Sequence, residues 1–174
     1  MKTFKKEIKK YIENYDIEVQ LFKKGEQIRK RGYLDKKEFL SICLWKSRRP
    51  KRLYIENDEN FINEQTKKAF SEKDELVKIK FLTALKGVEI PTASAILTIV
   101  FPNDYGIIDI RCIEALKDLK QIDYSNINGK NWLKYLGILR DLRNELNLPC
   151  REIEKALFAY NRIQHDDQYK NLYK

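Results

Sequence analysis

Apolar residues recur at spacings of three and four along nearly the whole chain, the period of one face of a helix. Phe4, Ile8, Tyr11 and Ile12 mark a first amphipathic helix. Asp16 can cap a second, with Val19, Phe22 and Ile28 inward. Asp35 can cap a third, with Phe39, Leu40, Cys43 and Leu44 inward, and Pro50 limits it. Asn57 or Asp58 can start a fourth that buries Phe61, Ile62 and Phe70. Ser71 with Asp74 reads as a capping box for a helix carrying Leu76, Ile79, Phe81, Leu82 and Leu85, which Gly87 stops. Pro91 suits the first turn of a helix running to about Phe101. Asp109 begins a short helix through Leu116. After a polar loop from Asp123 to Asn131, a long helix bears Trp132, Leu136, Leu139, Leu142 and Leu146. Pro149 opens the last, with Ile153, Leu157 and Tyr160 inward, and the tail after His165 is expected to fray. No segment alternates with period two beside a partner, and six glycines and four prolines leave few turns for strands. The fold class is all-α, and 174 residues without a compositional break make a single domain, 1–174.

A surplus of nine positive charges (35 Lys and Arg against 26 Asp and Glu) favours polyanions through long-range attraction and counterion release. A solvated lysine-rich surface gives the same count. Cys43, Cys112 and Cys150 are far apart and form no CxxC pair, so they build neither a zinc site nor an iron–sulfur loop. A sparse, odd cysteine count suits a reducing cytosol. The charged N-terminus lacks an apolar signal core, and the longest apolar run, Ala95 to Phe101, is too short to span a bilayer. These features predict a soluble, cytoplasmic protein with no membrane role. His165 is the sole histidine, which excludes a histidine-based triad.

The stretch from Leu85 to Leu97 then narrows the function. Two helices joined by a turn tight enough to need glycine point several backbone N–H groups outward, and such an array holds a phosphate without reading sequence. Gly87-Val88-Glu89 fits that turn, with Val88 plugging inward. Thr92, Ala93 and Ala95 are small enough for the helices to approach. A glycine-terminated helix followed by an unrelated helix gives the same letters.

With Asp109 in Ile107-Ile108-Asp109-Ile110-Arg111, 18 positions after Pro91, this segment resembles the helix-hairpin-helix DNA glycosylases of the endonuclease III type. There a lysine stands in the Pro91 slot, and the catalytic aspartate follows it at that distance. The resemblance covers roughly Leu76 to Leu116, with the hairpin at about 74–101 and the acid segment at about 102–117. It implies a two-lobed helical bundle with a cleft between the lobes, and hydrolysis of the N-glycosidic bond of a damaged or modified base. Asp109 is then the catalytic carboxylate, stabilising positive charge on the sugar. Gly87, Val88, Glu89, Thr92, Arg48, Arg49 and Arg111 are expected to meet DNA phosphates, with Lys51 and Arg52 beside them. Trp45, Lys46 and Tyr105 are expected at the base pocket, and Trp132 is a further aromatic candidate.

Three departures shape the expectation. Pro91 has no amine, so the activity should be monofunctional, without strand cleavage through an imine. Glu89 puts a carboxylate where a second glycine stands in the family. The four-cysteine cluster of some relatives is absent. No cofactor is expected beyond a monovalent cation at the hairpin, and the partner is DNA, met by a monomer. The alternative reading is a non-catalytic helix-hairpin-helix DNA-binding protein in which Asp109 only caps its helix. A third is a basic helical interaction protein with no nucleic-acid role.

Overall fold

The computed structural model describes residues 1–15 and 20–165. Asp16 and Val19, expected at the second helix, lie outside the described residues, as does the tail beyond His165. Within them the chain forms ten α-helices and no strand: α1 (Lys2–Glu13), α2 (Leu21–Arg31), α3 (Lys36–Lys46), α4 (Lys51–Ile55), α5 (Glu59–Ser71), α6 (Glu75–Thr83), α7 (Ile90–Val100), α8 (Ile110–Asp118), α9 (Gly129–Leu146) and α10 (Cys150–His165).

Short polar side chains set most of the helix starts. Asp35 and Glu38 form a reciprocal capping box on α3. Asp58 accepts from the N–H groups of Asn60 and Phe61, and Asn128 accepts from Asn131 N. The expected Ser71–Asp74 box is replaced by a simpler arrangement. Asp74 is itself the cap of α6, while Ser71 closes α5 and returns its hydroxyl to the Lys67 and Lys68 carbonyls. Phe61 also departs from expectation: it is exposed, and Ile62 is the buried residue on that turn.

α7 is the interior helix. Every residue from Thr92 to Val100 is buried, and α2, α3 and α6 pack around it. Such an all-round apolar helix is stable only when enclosed. α10 plays the same part for α1, α8 and α9, and α6 also touches α9. Cys43, Cys112 and Cys150 are free, buried thiols. Among the described residues, no helix is long and apolar enough to cross a membrane.

Candidate active site and nucleic-acid surface

Asp109 sits in extended backbone just before α8 and accepts from Cys112 N at 3.0 Å through Oδ1, the N-cap expected of it. Its other oxygen, Oδ2, faces Lys46 Nζ at 3.4 Å. Lys46 is the last residue of α3, 63 positions away. The two side chains are 17% and 14% exposed, so the pair is shielded from solvent yet open on one side.

That side is a cavity of about 210 Å³ lined by Tyr15, Trp45, Lys46, Ile107, Asp109, Glu154 and Phe158. Its elements come from both helix groups: α3 supplies Trp45 and Lys46, α10 supplies Glu154 and Phe158, and the segment entering α8 supplies Ile107 and Asp109. Aromatic contacts stiffen the walls. Tyr15 meets Phe158 edge-on at 5.6 Å, and Phe22 meets Trp45 edge-on at 6.1 Å.

Glu154 is a second carboxylate at this cavity. Oε2 pairs with Arg151 Nη1, and Arg151 Nη2 donates to Tyr15 Oη at 2.9 Å. Burial raises the Glu154 pKa most; Arg151 opposes that, the nearby Asp109 adds to it, and Lys46 lowers it. Burial likewise pushes the Tyr15 hydroxyl up to about 12. Glu154, Tyr15 and Phe158 were not expected from the sequence. Glu154 had one usable signal: it lies on the inward face of α10 beside Ile153 and Leu157, where a lone acid is out of pattern.

The turn between α6 and α7 is built as a tight corner. α6 ends at Thr83, earlier than expected, and Gly87 adopts φ +80. Val88 is buried, as a plug should be, and Val88 N donates to Leu85 O at 3.0 Å. Pro91 sits in the first turn of α7, whose opening N–H groups have no carbonyl one turn back. Glu89 precedes that turn with an exposed side chain that makes no capping bond. Asn57, expected only as a cap, clamps this corner. Its Nδ2 donates to Lys86 O at 3.1 Å, and its Oδ1 accepts from Lys86 N at 2.8 Å. An open depression lined by Val88, Glu89, Ile90 and Pro91 lies over the turn.

Two connections tie this corner to the cavity. Ser94 Oγ donates to Pro91 O at 2.8 Å and accepts from Ile108 N at 3.1 Å, which joins the first turn of α7 to the residue before Asp109. The segment after Lys46 runs to Pro50, Leu53 and Tyr54, which pack against Gly87; Tyr54 Oη lies 3.4 Å from Thr92 Oγ1. Arg48, Arg49, Lys51 and Arg52 are exposed along that segment, so a basic strip runs from the cavity edge to the turn. A Cβ at Gly87 would stand 3.0–3.1 Å from Leu53, Pro50 and Tyr54, in a backbone region that side chains avoid. Gly87→Ala should therefore cost about 1–2 kcal/mol from the left-handed conformation alone, read as a lowered midpoint in thermal unfolding.

Three expected residues are placed elsewhere. Arg111 is 4% exposed; its guanidinium lies 5.4 Å over the Phe158 ring and Nη1 donates to Asn161 Oδ1 at 3.4 Å. It faces the α10 core, because the first turn of α8 is the surface that packs on α10, so it is not on the exposed basic strip. Tyr105 is away from the cavity lining. Its ring stacks on Trp132 at 6.4 Å, and its hydroxyl accepts from Lys78 Nζ at 2.8 Å and donates to Glu75. Trp132 is wholly buried there. Glu75 also pairs with Arg140 at 2.6 Å, so this cluster fastens the loop entering α8 to α6 and α9. Burial raises the Tyr105 pKa and lowers that of Lys78.

Among the described residues, no three His, Cys, Asp or Glu side chains are grouped so as to hold a metal ion. No family model, no curated protein and no solved structure matches this chain.

Proposed function

We propose that this protein is a DNA glycosylase-like enzyme that hydrolyses the bond between a damaged or modified base and deoxyribose. In this reading α6, the Gly87 turn and α7 form the helix-hairpin-helix. α2–α7 form one lobe, α1 and α8–α10 the other, and the cavity is the cleft between them. The observation that carries the reading is the Lys46–Asp109 pair on a cavity wall, tied through Ser94 to the first turn of α7.

The chemistry follows from those parts. Glycosidic bond breakage develops positive charge on the sugar ring, and a carboxylate held beside it lowers that barrier. Asp109 has one oxygen fixed by Cys112 N and the other aimed at Lys46, so it is oriented before a substrate arrives. The same carboxylate can orient or deprotonate the attacking water. Trp45, Tyr15 and Phe158 offer flat apolar faces to an extruded base. The backbone N–H groups at the start of α7, with Arg48 and Arg49, would take the phosphates. Glu89 must turn outward for this, and its exposed, uncapped side chain is free to do so.

The direct test is mass-spectrometric detection of free bases released from a panel of lesion-bearing duplexes, with Asp109→Asn beside the parent protein. Release from at least one duplex supports the reading; release from none sinks it. The activity is proposed as monofunctional, with Lys46 serving as the charge partner of Asp109. Borohydride should then trap no covalent adduct on a pre-formed abasic site. Phosphate binding has its own signature. Each of Arg48→Ala, Arg49→Ala and Arg52→Ala should reduce the slope of log affinity against log salt by about 1, measured by fluorescence anisotropy on duplex DNA. An unchanged slope in all three would remove the basic strip from the interface.

A further inference from the structure

Ser94 is wholly buried in α7, among Ala93, Ala95, Ile96 and Leu97. A hydroxyl with no water to meet is costly there unless it is hydrogen-bonded. Thr98 meets that demand inside the helix, by donating to the Ser94 carbonyl at 2.7 Å. Ser94 reaches further. Its Oγ donates to Pro91 O and also accepts from Ile108 N, a backbone group outside α7.

Tyr135 reaches the same place from another helix. It is wholly buried on α9, and its Oη donates to Ile107 O at 2.8 Å. Burial pushes this hydroxyl well above its ordinary range, so it stays protonated and able to donate. The Ile107 carbonyl and the Ile108 N–H belong to one planar peptide group and point to opposite edges of it. α7 therefore holds one edge and α9 the other. Ile107 and Ile108 lie between α7 and α8, outside any helix, so these two side chains supply the bonds that a helix would. The residue before them is fitted just as closely. A Cβ on Gly106 would stand 2.6 Å from Leu139 Cδ1 on α9 and 2.8 Å from Glu154 Cβ on α10.

Asp109 is the next residue. Its Oδ1 accepts from Cys112 N, and its Oδ2 faces Lys46. With the preceding peptide group pinned, the direction in which this carboxylate leaves the backbone is set before any ligand arrives. A peptide plane freed at either edge can rotate, and the carboxylate beyond it then shifts against Lys46 and the cavity wall. A group held by supporting hydrogen bonds keeps the tight geometry that a reacting centre needs.

We propose that Ser94 and Tyr135 are positioning residues of this site: by pinning the Ile107–Ile108 peptide group from α7 and α9, they set the Asp109 carboxylate in its place on the cavity wall. The proposal rests on the glycosylase reading. Both residues act through Asp109, since neither is among the side chains that line the cavity.

Ser94→Ala and Tyr135→Phe each remove one hydroxyl and leave the carbon framework in place. They are compared with the full-length parent at a temperature where thermal unfolding shows them folded. Base release at saturating duplex should fall by at least about tenfold in each, since a misplacement of about 1 Å at a reacting centre can cost on the order of 10²-fold. DNA affinity, read by fluorescence anisotropy, should not change. Because both hydroxyls hold one peptide group, the double variant should lose less than the product of the single losses. Amide hydrogen exchange followed by NMR reads the same point without catalysis. The Cys112 N–H reports where Asp109 Oδ1 stands, and it should lose protection in either variant. A merely structural role would expose the Ile108 N–H and leave that of Cys112 protected. Release at the parent rate in the folded variants, a loss of affinity in place of rate, or full protection of the Cys112 N–H overturns the proposal. The two variants cut separate bonds to one peptide group, so if one fails to fold the other decides. If the parent releases no base from any duplex, the glycosylase reading is sunk and exchange alone decides. Lost protection at Cys112 then leaves Ser94 and Tyr135 as the residues that place Asp109, and retained protection removes that role too.

Discussion

Asp109→Asn is expected to lower base release by about 10²–10³-fold, the loss seen when one preorganised electrostatic group is removed from a reacting centre, while DNA affinity stays unchanged. The substitution separates two roles that the same side chain fills. Asparagine is as good an N-cap as aspartate, so its oxygen can still accept from Cys112 N and α8 should keep its start. What disappears is the negative charge facing Lys46 and the cavity. If Asp109 is only a cap, the variant behaves as the parent in every assay. If it is the catalytic carboxylate, release falls and binding, which depends on phosphate contacts some distance away, does not. Thermal unfolding of the variant guards the comparison. Lys46 loses its partner in a pair that is largely shielded from solvent, so some loss of stability is expected, and the midpoint shows whether the variant is folded at the assay temperature. Full release by Asp109→Asn would sink the catalytic assignment of this residue, whereas no release by either form would leave the non-catalytic DNA-binding reading in its place.

Gly25→Ala should destabilise the protein by about 3 kcal/mol, the upper end of overpacking costs, which lowers the melting midpoint by roughly 6–12 °C for a chain of this size. Helix propensity alone gives the opposite sign, since alanine in a helix interior is about 1 kcal/mol better than glycine. Packing decides the matter. Gly25 is in α2 where that helix crosses α7, and a Cβ there would overlap the Ile99 carbonyl oxygen and stand 3.1 Å from its carbon. Both are backbone atoms of the most enclosed helix in the fold and cannot swing aside. Differential scanning calorimetry reads the change directly, and a raised midpoint would mean that α2 and α7 do not approach so closely.

How much of this was legible in the letters depends on the range of the interaction. Asp35, Asp58 and Asp109 cap helices through their neighbours two or three residues on, and Gly87 takes the left-handed conformation that its turn demands. Those outcomes are local, so periodicity and short-range chemistry find them. Lys46 could be singled out only as the residue after Trp45; that its ammonium meets a carboxylate 63 positions later is a property of the packed helices. Arg111 looked like a phosphate ligand because it is basic and adjoins Asp109, but helix rotation turned it toward α10. Tyr105 adjoins the acid segment in sequence, yet the chain turns between them and its ring stacks on Trp132 instead.

The letters alone thus determined an all-helical chain, where most of its helices begin and turn, and the order of glycine turn, loop and acid. Only the tertiary structure decided that Tyr15, Lys46, Asp109 and Glu154 share one cavity while Arg111 and Tyr105 do not. The reason is physical: a helix face repeats every few residues and is written in its own segment, whereas a cavity wall is set by how several helices rotate and cross to bury their apolar faces together.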